Sequence, residues 1–424
     1  MIYSLIMRAL LALAAFGMVA SPVAAQIDPA ARGLAVQAKQ QSQRALEIAT
    51  PLARPSVASL AQLRKIIARA RSRSGDVRIG WVGDSKDVGT GSGTSGASNL
   101  FGALASSPTA FAAAEFARQG FSTSLGSTYS DGNVTSVGVT RAQLDPRWSV
   151  LPTDWSVRSD TTAAGRVYQM LSTGARGTFS PTETFDTITI TFNRTSLSAN
   201  LLVDVDGGTA QQLVPNGSTA SGLIRFSLTV ARGTHVIGVQ PTGNASFWGG
   251  LEVSDSTTPT VRFINLGASG WRATSTLASA SWSETTNTYS PLNALAVIAP
   301  DIAVVNLGTN DVLNNVSVAE FTTSLTAIVD RLRASGSFVI LCTPDSFDPA
   351  RGSLANQEAY RQAVIAVGAA YATPVPVIDL NTSLGAFAVR NAAPTEFFDG
   401  LHLIRNGSAS RGSVIARKIL EWAS

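Results

Sequence analysis

Apolar residues form two different patterns along this chain, and each pattern predicts its own kind of sheet. In residues 77–120 and 261–424, short and nearly continuous apolar runs alternate with segments of helical periodicity. Strands of this kind are buried on both faces, so they predict a parallel sheet with helices packed on either side. The predicted strands are 78–82, 261–266, 302–307, 338–342 and 375–380. The predicted helices are 108–119, 317–332, 356–372 and 409–422.

Residues 121–260, between these two stretches, show a period of two instead. Ile188, Ile190 and Phe192 alternate with threonines, and similar alternation recurs in later runs that are separated by turn residues. Short strands at this spacing are typical of an antiparallel sandwich. The segment is also far too long to be an ordinary loop of an α/β domain. We therefore predict an inserted β-sandwich domain at 121–260, within an α/β domain formed by the two flanking stretches.

The N-terminus has the pattern of an export signal. A single basic residue, Arg8, precedes an uninterrupted apolar run at 9–20, and small residues at 23–25 match a cleavage site. Residues 1–25 are therefore predicted to be a secretory signal peptide, because the run is short for a membrane span. No later apolar stretch is long enough to cross a bilayer. We expect an exported protein, periplasmic or extracellular, with a helical extension at 26–76 and no stable membrane insertion.

The charge pattern does not indicate a nucleic-acid partner. The formal net charge is only +4, and the basic residues of 64–73 share their segment with apolar residues at helical spacing. That arrangement is typical of an amphipathic helix with a solvated basic face. A nucleic-acid-binding patch, which is the alternative, would interleave aromatic residues with the basic ones. We predict no nucleic-acid partner, and the sequence indicates no particular oligomeric state.

Metal and cofactor sites are not predicted. Cys342 is the one cysteine and falls in an apolar run typical of a buried strand, while the two histidines, His235 and His402, lie far apart in the chain. The acidic segment 204–207 lacks the rest of a calcium loop, so a hairpin turn is the favoured interpretation. The glycines of 89–96 formally match a dinucleotide fingerprint, but they begin well past the predicted strand and no phosphate-loop lysine follows. We expect an active-site loop there.

The candidate chemistry begins at the end of the first predicted strand. Ser85 follows that strand after a Gly-Asp pair, a position that exposes a serine hydroxyl at the carboxyl edge of a sheet. Asp399 and His402 lie three residues apart, so the carboxylate can reach Nδ1 and leave Nε2 to face the serine. This spacing predicts a Ser85–His402–Asp399 triad for acyl transfer. Ordinary turn and helix-cap roles are the alternative for each residue taken alone.

Acyl transfer also needs hydrogen-bond donors, because an ester carbonyl becomes an oxyanion when it is attacked. The backbone N–H groups of Ser85 and Gly270 and the side-chain amide of Asn310 are the candidates, since each follows a predicted strand. Simple turn roles are again the alternative for Gly270 and Asn310. The occurrence of all these residues together, in this order, favours the catalytic interpretation.

Four short motifs resemble the blocks of the SGNH (GDSL-like) hydrolase family. They are Gly83-Asp84-Ser85, the segment 265–270 that ends in Gly270, Gly308-Thr309-Asn310-Asp311, and Asp399-Gly400-Leu401-His402. The resemblance covers roughly 77–120 and 261–424. It implies a flavodoxin-like, three-layer α/β/α fold and serine esterase activity without a metal or a cofactor.

The chain departs from the family pattern at a few positions. Lys86 and Asp87 follow the serine, where the family often has a small hydroxyl-bearing or apolar residue, and Leu403 follows the histidine in place of a proline. These departures leave the catalytic atoms intact and are expected to affect only the shape of the pocket. Trp271, after the second motif, is a candidate for lining an acyl pocket, with ordinary core packing as an equal alternative.

These features predict an exported serine esterase that removes short acyl groups, acetyl in particular, from a carbohydrate or another hydroxylated polymer. The sequence has no obvious apolar lid, which favours short acyl groups, and the sandwich suggests a polysaccharide by analogy with carbohydrate-binding modules. Two alternatives stay open. The same site could serve a lipase, a thioesterase or an acyltransferase. The chain could also be a polysaccharide-binding protein whose hydrolase domain is only a scaffold.

Overall fold

The fold combines one parallel sheet with two antiparallel sheets. The structure is a computed structural model that describes residues 55–89, 106–129, 147–149, 155–162, 165–170, 176–194, 201–213, 222–242, 246–274, 291–392 and 395–424, with 281, 283 and 285. All of these residues belong to one compact unit. The strands are β1 Val77–Gly83, β2 Thr123–Ser124, β3 Ser127–Tyr129, β4 Trp148–Ser149, β5 Trp155–Thr162, β6 Gly165–Met170, β7 Gly177–Phe179, β8 Phe185–Arg194, β9 Leu201–Val205, β10 Gln211–Leu213, β11 Gly222–Gly233, β12 Ile237–Pro241, β13 Ser246–Ser254, β14 Val261–Asn265, β15 Ile302–Asn306, β16 Phe338–Cys342 and β17 Val377–Ile378. The helices are α1 Val57–Arg71, α2 Ser85–Val88, α3 Pro108–Arg118, α4 Pro291–Ile298, α5 Thr309–Leu313, α6 Val318–Ala334, α7 Leu354–Ala369, α8 Leu380–Leu384, α9 Phe387–Arg390 and α10 Arg405–Ala423.

The parallel sheet has the strand order β17-β16-β15-β1-β14-β2. Strand β1 lies inside the sheet and pairs with β14 on one side and with β15 on the other. Every residue of β1, β15 and β16 is buried, which explains why these strands appear in the sequence as nearly continuous apolar runs. The Cys342 thiol is buried in β16, as predicted, and burial raises its pKa.

Helices cover both faces of this sheet, and each face has its own apolar core. One core contains side chains of α4, α6 and α7, and the other contains side chains of α1, α3 and α10. Helix α1 buries Leu63 and Ile67 and leaves Arg64 and Lys65 exposed, so the prediction of an amphipathic helix is confirmed. The three-layer α/β/α architecture predicted from the apolar runs is also confirmed.

Some element bounds differ from the sequence-based predictions. Strand β17 is much shorter than the predicted 375–380, because Asp379 instead caps α8 by accepting the Thr382 N–H. The short helices α2, α4, α5, α8 and α9 were not predicted. Strand β2 pairs in parallel with β14, so Thr123 and Ser124 belong to the parallel sheet, although everything from 121 onwards was assigned to the sandwich.

The two antiparallel sheets face each other as a β-sandwich. One has the strand order β10-β9-β12-β7-β4, and the other has the order β11-β8-β13-β6-β5 with β3 paired to β13. They share an apolar core that includes Phe179 and Ile237 from the first sheet and Ile190 and Leu251 from the second. This arrangement agrees with the period of two in the sequence.

The acidic segment at 204–207 forms a hairpin, as predicted. Strands β9 and β10 pair antiparallel, and Asp206 and Gly207 have positive φ angles in the connection between them. The Asp204 carboxylate is bound by the Arg176 guanidinium at 2.7 Å. Asp206 pairs with His235 at 2.7 Å, so this histidine belongs to the hairpin region.

A buried carboxylate joins the sandwich to the parallel sheet. Glu252 of β13 accepts hydrogen bonds from Arg78 of β1 at 2.8 and 3.0 Å and from Arg225 of β11 at 2.9 Å. Arg262 of β14 lies 3.7 Å away. Burial raises the pKa of Glu252, but Arg78 and the other two arginines outweigh this effect and lower the pKa to about 2. Because Arg78 and Arg262 are near the amino ends of their strands, this junction lies opposite the carboxyl edge of the sheet.

Candidate active site

Three predicted site residues follow neighbouring strands of the parallel sheet. Ser85 comes two residues after Gly83, the last residue of β1, and Gly83 pairs with the last residue of β15. The N–H of Ala268, in the loop after β14, donates to the Gly83 carbonyl at 3.1 Å. Gly270 lies in that same loop, and Asn310 lies in α5 just after β15. These residues therefore occupy the carboxyl edge of the sheet, where ligands bind in open α/β folds.

The structure brings Ser85, His402 and Asp399 together. His402 Nε2 lies 3.0 Å from Ser85 Oγ, and His402 Nδ1 lies 2.9 Å from Asp399 Oδ2. Because an ionised carboxylate can only accept hydrogen bonds, we assign the imidazole proton to Nδ1, which leaves a lone pair on Nε2. In this arrangement an imidazole can accept the proton of a serine hydroxyl.

The turn from Asp399 to His402 fixes the orientation of the imidazole. Asp399 Oδ1 accepts the backbone N–H of Leu401 at 3.0 Å and that of His402 at 2.7 Å. Gly400 has a φ of +79°, which favours glycine in this tight turn. Partial burial raises the pKa of Asp399, but the hydrogen bonds from His402 outweigh it and hold that pKa well below its usual range. Asp399 is therefore ionised at neutral pH and can stabilise a protonated imidazole.

A reciprocal cap holds the turn that carries Ser85. The Asp84 side chain accepts the Lys86 N–H at 2.9 Å, and the Asp87 side chain accepts the Asp84 N–H at 3.2 Å. A Cβ on Gly83 would lie 1.7 Å from Asp87 Oδ2, so only glycine fits at this position. The backbone thereby places Ser85 at the first residue of α2.

Asn310 and Asp311 both bind the loop that carries Gly270. Asn310 Nδ2 donates to the Trp271 carbonyl at 2.8 Å, and the Asp311 carboxylate accepts the Ala273 N–H at 3.2 Å. Burial raises the pKa of Asp311 to about 6, although backbone N–H groups oppose this shift. Gly270 has a φ of +78° in this loop. Asn310 and Gly270 are thus close to each other, while their role as oxyanion donors stays a prediction.

The Trp271 side chain packs in the core. It is only 2% exposed and belongs to the apolar cluster between the sheet and helices α4, α6 and α7. Core packing is therefore the interpretation that the structure supports for Trp271. Leu403, which stands in place of a proline after the histidine, is also fully buried.

Several buried charged side chains lie close to the turn that carries Ser85, and they were not predicted as part of the site. Lys86 Nζ donates to Asp345 Oδ1 at 2.9 Å, and Arg411 Nη2 lies 2.9 Å from Asp87 Oδ1. Burial raises the pKa of Asp87 to about 7, with Arg411 acting against that shift. Burial also acts to raise the pKa of Asp345, but Lys86 and the nearby arginines hold it far below its usual range. Lys86 and Asp87 therefore belong to the interior, while the expectation that they affect only the shape of the pocket stays a prediction.

One feature of the sequence points to this buried cluster. A Lys-Asp pair follows directly after a fully buried strand and the turn that ends it, which places both charges next to the core. The partners Asp345, Arg390 and Arg411 give no comparable signal, because single charged residues in loops and helices are usually solvated.

Part of the sequence-based prediction lies outside the described residues. This applies to the signal peptide at 1–25, to most of the helical extension and to the glycines of 90–96. Within the described ranges, no three His, Cys, Asp or Glu side chains lie together in a way that could hold a metal ion. The same part of the chain contains no helix with the length and apolar character needed to cross a membrane.

Comparison with known proteins finds a family model that matches part of the chain. Residues 227–409 match the model of the GDSL-like Lipase/Acylhydrolase family. This range includes Gly270, Asn310, Asp399 and His402, and it begins after Ser85. This part of the chain is therefore similar to the GDSL-like lipase/acylhydrolase family. The chain is an ester hydrolase, as the four motifs predicted.

Solved structures similar to this chain include a peptidoglycan O-acetylesterase. That protein is 16% identical, with 85% of this chain and 95% of that chain covered and a TM-score of 0.61, a likeness of fold alone. A lipase/acylhydrolase from Enterococcus faecalis is 27% identical over 38% of this chain and 76% of its own, with a TM-score of 0.29. A family two carbohydrate esterase from Clostridium thermocellum, in complex with cellohexaose, is 12% identical over 60% of this chain and 95% of its own, with a TM-score of 0.31. No curated protein matches this sequence.

Proposed function

We propose that this protein is an exported serine esterase that hydrolyses short-chain acyl esters, acetyl esters in particular, on a polysaccharide. Ser85 is the nucleophile, His402 is the general base, and Asp399 orients the imidazole. The observation that carries the proposal is the 3.0 Å contact between Ser85 Oγ and His402 Nε2, with Asp399 on the other ring nitrogen. The fold shared with a peptidoglycan O-acetylesterase supports a polysaccharide substrate, and the signal-like N-terminus supports export.

In the proposed reaction, the Ser85 hydroxyl transfers its proton to His402 Nε2 as Oγ attacks the ester carbonyl carbon. Asp399 stabilises the imidazolium that forms. His402 then gives the proton to the leaving alcohol oxygen as the C–O bond breaks, which leaves an acyl ester on Ser85. A water molecule attacks this ester with the same proton transfers, releasing the carboxylic acid and free Ser85.

The N–H groups of Ser85 and Gly270 and the Asn310 amide stabilise the oxyanion in both steps. A primary amide carries two N–H bonds, and one of those on Asn310 goes to the Trp271 carbonyl. The second is then available to a substrate oxygen. The bond to Trp271 supports this role, because it holds the amide in one orientation before the substrate binds.

The test compares acyl chain lengths and substrate size. The wild-type protein and Ser85→Ala are assayed on para-nitrophenyl acetate, butyrate and octanoate, and on an O-acetylated polysaccharide. We expect the highest kcat/KM for the acetyl ester and release of acetate from the polymer, with neither activity in Ser85→Ala. A preference for octanoate would favour a lipase. Binding of the polysaccharide without hydrolysis of any ester would overturn the proposal.

A further inference from the structure

A chain of buried ion pairs runs from the Ser85 turn to the loop that carries His402. Lys86 Nζ lies 2.9 Å from Asp345 Oδ1, Asp345 Oδ2 lies 2.9 Å from Arg390 Nη1, and Arg390 Nε lies 2.8 Å from Glu396 Oε2. The side chains of Lys86, Asp345 and Arg390 are at most 1% exposed, and that of Glu396 is 13% exposed. These four residues are called the ionic chain below.

Both ends of the ionic chain join the segments that carry the reacting groups. Lys86 is the residue after Ser85, and its N–H is held by the Asp84 side chain. At the other end, the Glu396 carbonyl accepts the Ile404 N–H at 2.9 Å. This bond closes the loop 396–404, which contains the histidine and its carboxylate. The ionic chain therefore connects two segments that are distant in sequence. Ser85 and His402, whose side chains meet in the site, are 317 residues apart.

Stability alone is a poor explanation for so many buried charges. The removal of charges from water is costly, and well-packed apolar residues in place of a buried ion pair are often equally stable or more stable. Charge-assisted hydrogen bonds differ from apolar contacts because they are directional. Lys86 Nζ is also confined by the Phe347 ring, whose centroid lies 5.3 Å away. A nucleophile and its base must be aligned, and a directional connection between the two loops that carry them can hold that alignment.

We propose that the ionic chain Lys86–Asp345–Arg390–Glu396 positions the Ser85 hydroxyl at hydrogen-bonding distance from His402. The four residues are positioning residues, since they act through the backbones of the two segments. This inference rests on the proposed function, in which Ser85 is the nucleophile and His402 is the base. Its consequence is that an enzyme without one link keeps its affinity for the substrate and loses turnover.

The principal variant is Lys86→Met, because methionine fits the space of the lysine stem and leaves Asp345 paired with Arg390. On para-nitrophenyl acetate we expect kcat to fall about tenfold to a hundredfold with KM unchanged, as for a reacting group displaced by about 1 Å. The rate at which an organophosphonate modifies the serine should fall by the same factor. The matched control is Glu252→Gln, which breaks a buried ion pair at the opposite edge of the sheet. We expect the control to have a lower Tm and wild-type values of both rates.

Glu396→Gln is the second variant and replaces Lys86→Met if that protein does not fold. Its side chain is partly exposed, and an amide can still accept the Arg390 N–H, so we expect a smaller loss of Tm and a lower kcat at unchanged KM. Wild-type kcat and phosphonate rate in the folded variant would overturn the positioning role, as would an equal loss in Glu252→Gln. Mass spectrometry of the wild-type adduct separates the two hypotheses. A phosphonate on Ser85 supports the nucleophile, whereas a phosphonate elsewhere would overturn the proposed function itself.

Discussion

Asn310 Nδ2 donates a hydrogen bond to the Trp271 carbonyl at 2.8 Å, which ties the third sequence motif to the loop of the second. The two candidate oxyanion donors on these segments, the Asn310 amide and the Gly270 N–H, are therefore fixed relative to each other. An oxyanion hole is effective when its donors are in place before charge develops on the substrate. Asn310 could therefore act by donating a hydrogen bond to the oxyanion or by holding the Gly270 loop in place, and the next prediction distinguishes these two roles.

Asn310→Ala is expected to lower kcat about a hundredfold to a thousandfold with little change in KM, as for the loss of one oxyanion donor. The matched control is Asp311→Asn, which alters a carboxylate that binds the same loop through the Ala273 N–H. We expect that control to retain kcat within about threefold, since it removes no donor from the oxyanion. Steady-state kinetics on para-nitrophenyl acetate measures both. An equal loss of kcat in the two variants would show that loop displacement, and not donation, explains the effect.

Ser85→Ala and His402→Ala are expected to abolish esterase activity to a similar degree. The reason is that the nucleophile and the base act as a unit, so removal of either stops the same step. Both substitutions delete polar atoms at the sheet edge and leave the apolar cores intact, so near-ultraviolet circular dichroism should match the wild type. Substantial activity in either folded variant would contradict the assignment of that residue.

The Glu252 junction predicts how stability depends on pH. The pKa of Glu252 is lowered from 4.5 to about 2 in the folded protein, so the folded state favours the ionised form. The stabilisation is present above about pH 4.5 and is lost as the pH falls towards 2, by about 3 kcal/mol for a shift of this size. At neutral pH, Glu252→Gln should cost about 3–5 kcal/mol, because it leaves buried arginines without their carboxylate.

Urea unfolding of the wild type and of Glu252→Gln between pH 2 and 7 tests this prediction. The difference in unfolding free energy between the two proteins should be largest at neutral pH and should shrink as the pH approaches 2. If the difference in unfolding free energy stays constant across this range, the arginines do not keep Glu252 ionised in the folded state.

The central part of the fold could be predicted from sequence because its physical cause is local. Strands β1, β15 and β16 are buried along their whole length, so their apolar runs are nearly continuous. Ser85 and the Asp399–His402 pair were found because a tight turn at a strand end and a three-residue spacing each have a direct geometric meaning. Strands β2 and β17 were missed or misjudged, since two residues are too few to show a period.

The buried ion pairs could not be predicted in the same way, because their cause is long-range. Lys86 and Asp345 are 259 residues apart, and Arg78 and Glu252 are 174 residues apart. A charged residue considered alone is most often solvated, and nothing in its local sequence identifies a distant partner. Folding brings these pairs together, so they become visible only when the strand order is known.

The ends of the antiparallel segment lie side by side, which permits a clean deletion. Thr123 of β2 pairs with Val261 of β14, and the Val261 N–H donates to the Ser122 carbonyl at 2.8 Å. A short linker can therefore replace residues 127–258 and keep β2 in the parallel sheet. A cut at the sequence-predicted boundary near 121 would remove that strand.

Replacement of 127–258 by a short Gly/Ser linker is expected to leave an enzyme that is active on para-nitrophenyl acetate. The contacts among Ser85, His402 and Asp399 arise from elements of the parallel-sheet part, at the edge opposite Glu252. The deletion removes Glu252 but also exposes Arg78 to water, so Arg78 is not left buried without a partner. The loss of stability should therefore come mainly from newly exposed apolar surface and appear as a lower Tm.

We expect the same truncated protein to lose much of its activity on an O-acetylated polysaccharide. The sandwich would supply contacts that an extended polymer uses and a small aryl ester cannot reach. The ratio of kcat/KM on the two substrates, measured for the full chain and for the truncated protein, reports this directly because it cancels any general loss of active enzyme. An unchanged ratio would mean that the sandwich makes no contribution to polymer recognition. A folded truncated protein that is inactive on both substrates would mean that the antiparallel sheets complete the active site, and the division into 77–120, 121–260 and 261–424 would then fail as a functional one.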